Sequence, residues 1–358
     1  MSRSLAIWGC RDYSGSNHEE DINDPFIDDL HINFWNINSK KLYCIDFGVL
    51  FKKPETDEIS EKGAICIYIP FKKKKSEIND LSSYLNENDD LITAVFNEYL
   101  NKKESIGNAF TKIHLTNKEA IIMNTKLDSD SGTFDNRLTL TERDDGTIII
   151  LKIKECISRE NEYQHYIRFR IFIDESEIKE IVRTFIPGDN FLKSNQERTD
   201  IIDFRINEQR NLPSGISSTL SAAVCTPQKY HFFIIRDMSD EHSSAGKNYQ
   251  GCRILEKETW QKYFHNRKAL GNSSPIIYHW KLKADTDKKE RLTDFSAIAR
   301  FKNTRTKFRK IIAYILYGLA ISFSIKYIPA DNSIVGYSIL SLSILYVIIS
   351  VSSYLKKY

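Results

Sequence analysis

The sequence predicts an α+β chain, with a mainly antiparallel β soluble body over residues 1–299 followed by a C-terminal two-helix transmembrane hairpin. Three observations predict it. Short runs rich in Ile, Val, Phe, Tyr and Thr recur through the body between charged or turn residues, which is the pattern of strands. These runs outnumber the stretches of helical periodicity and do not alternate with them as βαβα, which favours antiparallel pairing. Two apolar runs, 311–328 and 334–355, close the chain around the turn Pro329, Ala330, Asp331, Asn332, Ser333.

Strands are expected at 42–51, 64–71, 110–115, 120–123, 138–142 and 147–153, then at 166–173, 201–206, 230–235 and 276–283. Between two of them, Arg143, Asp144, Asp145 and Gly146 read as a hairpin turn, with the glycine supplying the positive φ. Helical periodicity marks 91–99, 176–185 and 257–264. Pro187, Gly188, Asp189 and Asn190 suggest a lobe boundary. The expected organisation is a β-rich lobe at 1–190, a second α+β lobe or continuation with a charged linker at 191–299, a basic juxtamembrane segment at 300–310 and the hairpin at 311–355.

The apolar runs are read as spans by length. At about 1.5 Å per residue, 18 residues reach about 27 Å and 22 residues about 33 Å, against a hydrocarbon core of about 30 Å. Lys326 lies one turn from a helix end, where a lysine can snorkel to the headgroups. A buried helical hairpin in a soluble core is the competing reading, disfavoured by two adjacent apolar runs at the terminus.

Charge sets the expected orientation. The chain carries a net +3, but from Arg300 onward nine Lys or Arg face a single Asp331, so that segment is +8 and residues 1–299 are left at −5. Arg300, Lys302, Arg305, Lys307, Arg309 and Lys310 precede the first span, and Lys356 and Lys357 follow the second. By the positive-inside rule both termini are cytoplasmic, in the cell's inner (plasma) membrane. The same residues are candidates for contact with anionic lipid headgroups, although a topology signal alone explains them equally well. An acidic body argues against direct nucleic-acid binding, which needs a concentrated basic footprint. Gly318 and Ser322 in the first span, and Gly336, Ser343 and Ser350 in the second, form small-residue stripes suited to close helix packing in lipid. That packing is either within the hairpin or between chains of a homo-oligomer.

Six widely spaced cysteines without a C-x-x-C pair read as buried free thiols of a reducing compartment. The apolar stretch from Leu5 to Trp8 is too short for a secretory signal. Candidate chemistry is sparse. Glu19, Glu20, Asp21, Asp24, Asp28 and Asp29, beside His18 and His31, have the atoms for a hard cation or for acid/base work. Pro25, however, breaks any helix that would align them, and a solvated loop is favoured. Lys72, Lys73, Lys74 and Lys75 suit headgroups or a phosphorylated ligand, but more often such a run is a solvated loop. Ser243, Ser244, Ala245, Gly246, Lys247 and Asn248 lack the first glycine and the final hydroxyl of a phosphate-binding loop. Cys225 with His231, and Ser214, Ser217 and Ser218, fit no nucleophile signature. His114, His165, His242, His265 and His279 show no ligand spacing. No catalytic residue, metal ligand or cofactor is assigned.

In layout, the stretch from Lys307 to Lys357 behind a large body resembles the two-transmembrane effectors of prokaryotic antiviral defence, including membrane proteins encoded beside prokaryotic Argonautes. The resemblance implies a membrane effector: a cytosolic domain senses a protein activator or a small-molecule signal, and the paired spans then depolarise the membrane. A passive membrane-anchored adaptor is the alternative, and a membrane-bound hydrolase the second.

Overall fold

The structure, a computed structural model, describes residues 3–12, 25–125, 137–160, 162–188, 195–244, 249–264, 269–271, 273–284 and 292–306. Beyond these it describes residues 311–312, 314–316, 318–319, 321–322, 337–338 and 341–342. In chain order the first half comprises β1 (Ala6–Cys10), β2 (Ile27–Ile37), β3 (Leu42–Phe51), α1 (Asp57–Lys62), β4 (Ala64–Ile69), β5 (Ile78–Asp80), α2 (Ser82–Glu87), α3 (Asp89–Phe96), β6 (Leu100–Ile106), β7 (Phe110–Leu115), β8 (Ile121–Asn124), β9 (Leu138–Arg143), β10 (Gly146–Lys152) and α4 (Ile153–Cys156). The second half comprises β11 (Gln164–Phe172), β12 (Val182–Phe185), β13 (Asn195–Ile206), α5 (Ser214–Ser221), β14 (Lys229–Asp237), β15 (Glu241–Ser244), β16 (Gly251–Ile254), α6 (Lys257–Gln261), β17 (Pro275–Lys283) and β18 (Phe295–Thr306). The body is mainly β, with three sheets and a few short helices.

Two compact units divide the chain. One comprises residues 1–183, 202–239 and 244–299, and the other 184–201, 240–243 and 300–358. In the first unit, a four-stranded sheet has the order β1-β4-β10-β9, antiparallel throughout. One of its faces carries Ala6, Trp8, Cys66, Tyr68 and Ile148, which pack with Ile216 and Leu220 of α5. The β9–β10 hairpin forms as expected, but the left-handed residue is Asp144, at φ 53°. Gly146 serves a different need: a Cβ there would stand 2.4 Å from the Ile69 carbonyl oxygen, so glycine permits the close approach of β4.

The central element of this unit is a ten-stranded sheet in the order β16-β17-β14-β2-β3-β11-β8-β7-β6. β11 shares its outer edge between parallel β8, at Gln164–Tyr166, and antiparallel β5, at Phe169–Ile171. Alternation along the central strands separates the two faces of the sheet. Leu30, Ile32 and Phe34 of β2, Ile45, Phe47 and Val49 of β3, and Tyr230, Phe232 and Ile234 of β14 are buried on one face. There Phe204 stacks on Phe232 at 4.2 Å between ring centroids, and Phe295 meets Phe232 at 5.8 Å. The opposite face carries Asp29, His31, Asn33, Asp46, Arg168, Arg170, Lys229 and His231. Part of it is roofed by Leu85, Leu91, Ile92 and Phe96 of α2 and α3, with Trp260 of α6 and the following Tyr263 and Phe264.

The third sheet has the order β12-β13-β18-β15. Within the second unit, Asp200 accepts from Thr184 Oγ1 at 2.7 Å and from Arg198 Nε at 2.8 Å. Asn303 Nδ2 donates to Asp240 Oδ1 at 2.5 Å. Among the described residues no helix is long and apolar enough to cross a membrane. Most of the two expected spans lies outside the described residues; those that are described are helical, and Ser322 Oγ donates to the Gly318 carbonyl one turn earlier at 2.8 Å.

Several local expectations change. The helix expected at 176–185 is instead a 3-10 turn at Glu177–Glu180 followed by β12, because pairing with β13 overrides the local periodicity. The helix expected at 91–99 stops at Phe96, where Asn97 takes a left-handed φ of 52°. Asp28, Asp29 and His31, expected in a loop, belong to β2. Lys73, expected in a solvated loop, is buried between Glu77 at 3.2 Å and Glu177 at 2.6 Å.

Candidate functional site

The polar face of the large sheet is open where the helical roof ends, and a cavity of about 730 Å³ lies there, within the first unit. Its floor is laid out by strand register. β14 pairs in parallel with β2, setting Lys229 beside Asp29, His231 beside His31 and Phe233 beside Asn33. Antiparallel β17 then sets His279 beside Phe233. On the other side, β3 places Gly48 beside His31, and β11 places Arg168 beside Gly48. The end of α3 (Phe96), Glu98, Lys118, Arg253 of β16 and Trp260 of α6 complete the wall.

Gly48 is required by this floor. A Cβ there would stand 2.2 Å from the Tyr166 hydroxyl and 2.9 Å from Arg168 Nη1, so only glycine lets those groups reach across β3. Arg168 Nη1 donates to Tyr166 Oη at 2.6 Å, and its Nε donates to Tyr263 Oη. Below this lies a fully buried ion pair, with Arg170 Nε and Nη2 donating to the two oxygens of Asp46 at 2.6 and 2.9 Å. Trp35 Nε1 adds a third bond to Asp46 at 2.8 Å. This bidentate geometry fixes the rotamers on which the cavity floor rests.

Histidine and carboxylate chemistry converges above that floor. His231 Nδ1 lies 3.1 Å from His279 Nε2, and His231 Nε2 lies 3.9 Å from Asp29 Oδ2. His31 Nδ1 lies 3.4 Å from the Tyr166 hydroxyl, and the rings of His31 and His231 meet edge to face at 5.0 Å. Lys229 Nζ holds Asp29 Oδ1 at 2.9 Å. Burial, followed by the repulsion that a proton on His31 would meet from a protonated His231 and from Arg168, holds the His31 pKa well below the usual histidine range. Burial also lowers His231 and His279 to about 4. All three imidazoles are therefore neutral near pH 7. Neutral imidazole has a lone pair available for a metal or for proton transfer. Among the described residues, Asp29, His31 and His231 bring together three ligand atoms that all lie within 4.8 Å of one another and could hold a metal ion.

Cys225 and His231, close along the chain, do not converge in the fold: buried Cys225 bridges Gly9 through the backbone while His231 faces the cavity. His231 and His279, without meaningful spacing in sequence, become neighbours across a strand pair. The signal that could have found them is the alternation Asp29, Leu30, His31, Ile32, Asn33, Phe34, repeated as Lys229, Tyr230, His231, Phe232. Of the lipid-contact candidates, Arg300, Lys302 and Arg305 lie on β18, with Lys302 Nζ 3.3 Å from Glu197. Lys307, Arg309, Lys310, Lys356 and Lys357 lie outside the described residues, as do Gly336, Ser343 and Ser350. Glu19, Glu20, Asp21, Asp24 and His18 lie outside them too. Compared with models of protein families and with curated proteins, the chain matches none.

Proposed function

We propose that the chain is a membrane effector in which the β body senses a ligand or partner and the C-terminal segment acts on the bilayer as a two-span hairpin. The observation that carries this reading is the character of the helical residues after β18. Ile312, Ile315, Leu316 and Leu319 are 56%, 58%, 60% and 52% exposed, and a run of large apolar side chains facing outward is stable in lipid but a liability in water. The cavity supports the sensing half, because its volume and its few convergent polar groups match those of small-molecule sites. On this reading the cytoplasmic face of the inner membrane holds the basic segment around Lys307, Arg309 and Lys310, and the effector works as a homo-oligomer in antiviral defence.

Induced expression with a membrane-potential dye tests it, comparing the full chain with one ended before Lys307. Depolarisation by the full chain alone supports the effector. A full chain that reaches the membrane and leaves the potential unchanged would overturn the effector and leave the membrane-anchored adaptor or hydrolase. A membrane-bound hydrolase is the second reading, favoured by the convergence of Asp29, His31 and His231 in one cavity; turnover of ester or phosphodiester substrates that disappears in H231A would support it.

A further inference from the structure

We propose that Asp29, His31 and His231 bind a single divalent transition-metal ion of the zinc class on the cavity floor, with coordination positions left open to an anionic ligand. The proposal takes from the sensor reading only the cavity as the working site, and metal uptake is measured without reference to the membrane.

The donor atoms of the three side chains all lie within 4.8 Å of one another. Zinc stands about 2.0–2.2 Å from imidazole nitrogen and carboxylate oxygen, so two donors on one tetrahedral ion are separated by about 3.4 Å. The 3.9 Å between His231 Nε2 and Asp29 Oδ2 is about 0.5 Å longer than that, and with every donor pair within 4.8 Å the site closes on an ion by side-chain shifts of about 1 Å. The ligands stand on adjacent central strands in fixed register, His231 directly opposite His31. A site on strands holds its geometry better than one on loops.

The outer shell has the form of a metal site. His279 engages His231 at Nδ1, which turns Nε2 toward Asp29. Tyr166, anchored by Arg168, stands at His31 Nδ1. Partners at the far nitrogen fix ring orientation and tautomer in metal-ligating histidines.

Charge then names the fourth partner. Lys229 keeps Asp29 Oδ1 while Oδ2 faces the histidines. Two histidines and one carboxylate leave a zinc-class ion positively charged and short of its usual four ligands, with Lys229 and Arg168 close by. An anionic oxygen donor such as phosphate or carboxylate both neutralises that charge and fills the open position.

The test uses the full chain in detergent, stripped with a chelator and titrated with Co²⁺ and Zn²⁺. Expected are about one ion per chain and visible cobalt d–d bands that shift when inorganic phosphate is added. H31A and H231A abolish uptake, H279A weakens it about 10–100-fold as an outer-shell partner, and H242A leaves it unchanged. Folding of each variant is checked by thermal unfolding. A second readout needs no variant: zinc should protect His31 and His231 of the wild-type chain from diethylpyrocarbonate while half-buried His114, outside the cavity, reacts to the same extent with and without zinc. Wild-type uptake below about one-tenth of an ion per chain, binding that survives in H31A/H231A but is lost in C252S, or equal labelling with and without zinc overturns the proposal. Cobalt bands indifferent to phosphate overturn its open positions.

Discussion

Asp46 is fully buried with Arg170 clamped on it and Trp35 donating to it. Replacing it by alanine strands a guanidinium that stacks 3.9 Å from the Phe264 ring centroid. Loss of one partner of a buried pair costs about 3–5 kcal/mol, so Asp46→Ala should lower the unfolding free energy measured in urea by that amount. Replacing both Asp46 and Arg170 by leucine should cost clearly less than the single change, because no buried charge is left unpaired. His165 supplies the acid limb of stability. It is fully buried, accepts from the Ser158 N–H at 3.0 Å and has its pKa lowered by burial from 6.5 to about 4. Above pH 6.5 the ring is neutral whether folded or unfolded. Between 6.5 and 4 the unfolded chain takes a proton that the folded chain refuses, so stability falls as pH falls, by about 3 kcal/mol across the window. His165→Phe should flatten that part of the unfolding profile, and a profile unchanged in slope would contradict the assignment.

At the scale of elements, the most demanding position is Gly48 on β3. Gly48→Ala forces the Tyr166 hydroxyl and Arg168 to move, and overpacking of this kind costs about 1–3 kcal/mol. It should also weaken metal uptake, because Tyr166 is the neighbour of His31. Normal uptake in a folded G48A chain would show that the floor does not position the ligands. Much of this framework was legible beforehand: β3, β7 and β9 through β11 follow directly from runs of apolar and β-branched residues bounded by turns. β2 was not, since its Asp28, Asp29 and His31 read locally as an acidic loop, and only pairing with β3 and β14 makes a strand of them. β18 was hidden by its basic residues, which read equally well as a membrane collar. The candidate site lay beyond local reading for a related reason. Its residues come from strands some 200 positions apart, and only register unites them. What the sequence could carry was the two-residue alternation of polar and apolar side chains on β2 and β14, which states that one face is polar without stating what stands opposite.

At the scale of the whole molecule, the chain combines a cavity lined by titratable groups with a C-terminal segment whose described apolar side chains face outward. Chain connection is short: β18 ends at Thr306 and helical residues begin at 311. If small residues pack the proposed spans, Gly318→Leu with Gly336→Leu and Ser343→Leu should abolish depolarisation while leaving the chain in the membrane fraction. Retained depolarisation in that triple variant would contradict a packed assembly. If the cavity governs an action on the bilayer, membrane potential after induction must respond to both the cavity and the C-terminal segment. Three chains are compared at matched abundance: the full chain, the chain ended before Lys307, and the full chain carrying H31A/H231A. The account predicts depolarisation by the full chain, none by the shortened one, and an altered response from the double variant at equal membrane content. Depolarisation by the shortened chain, or identical responses from the full chain and the double variant, would contradict it.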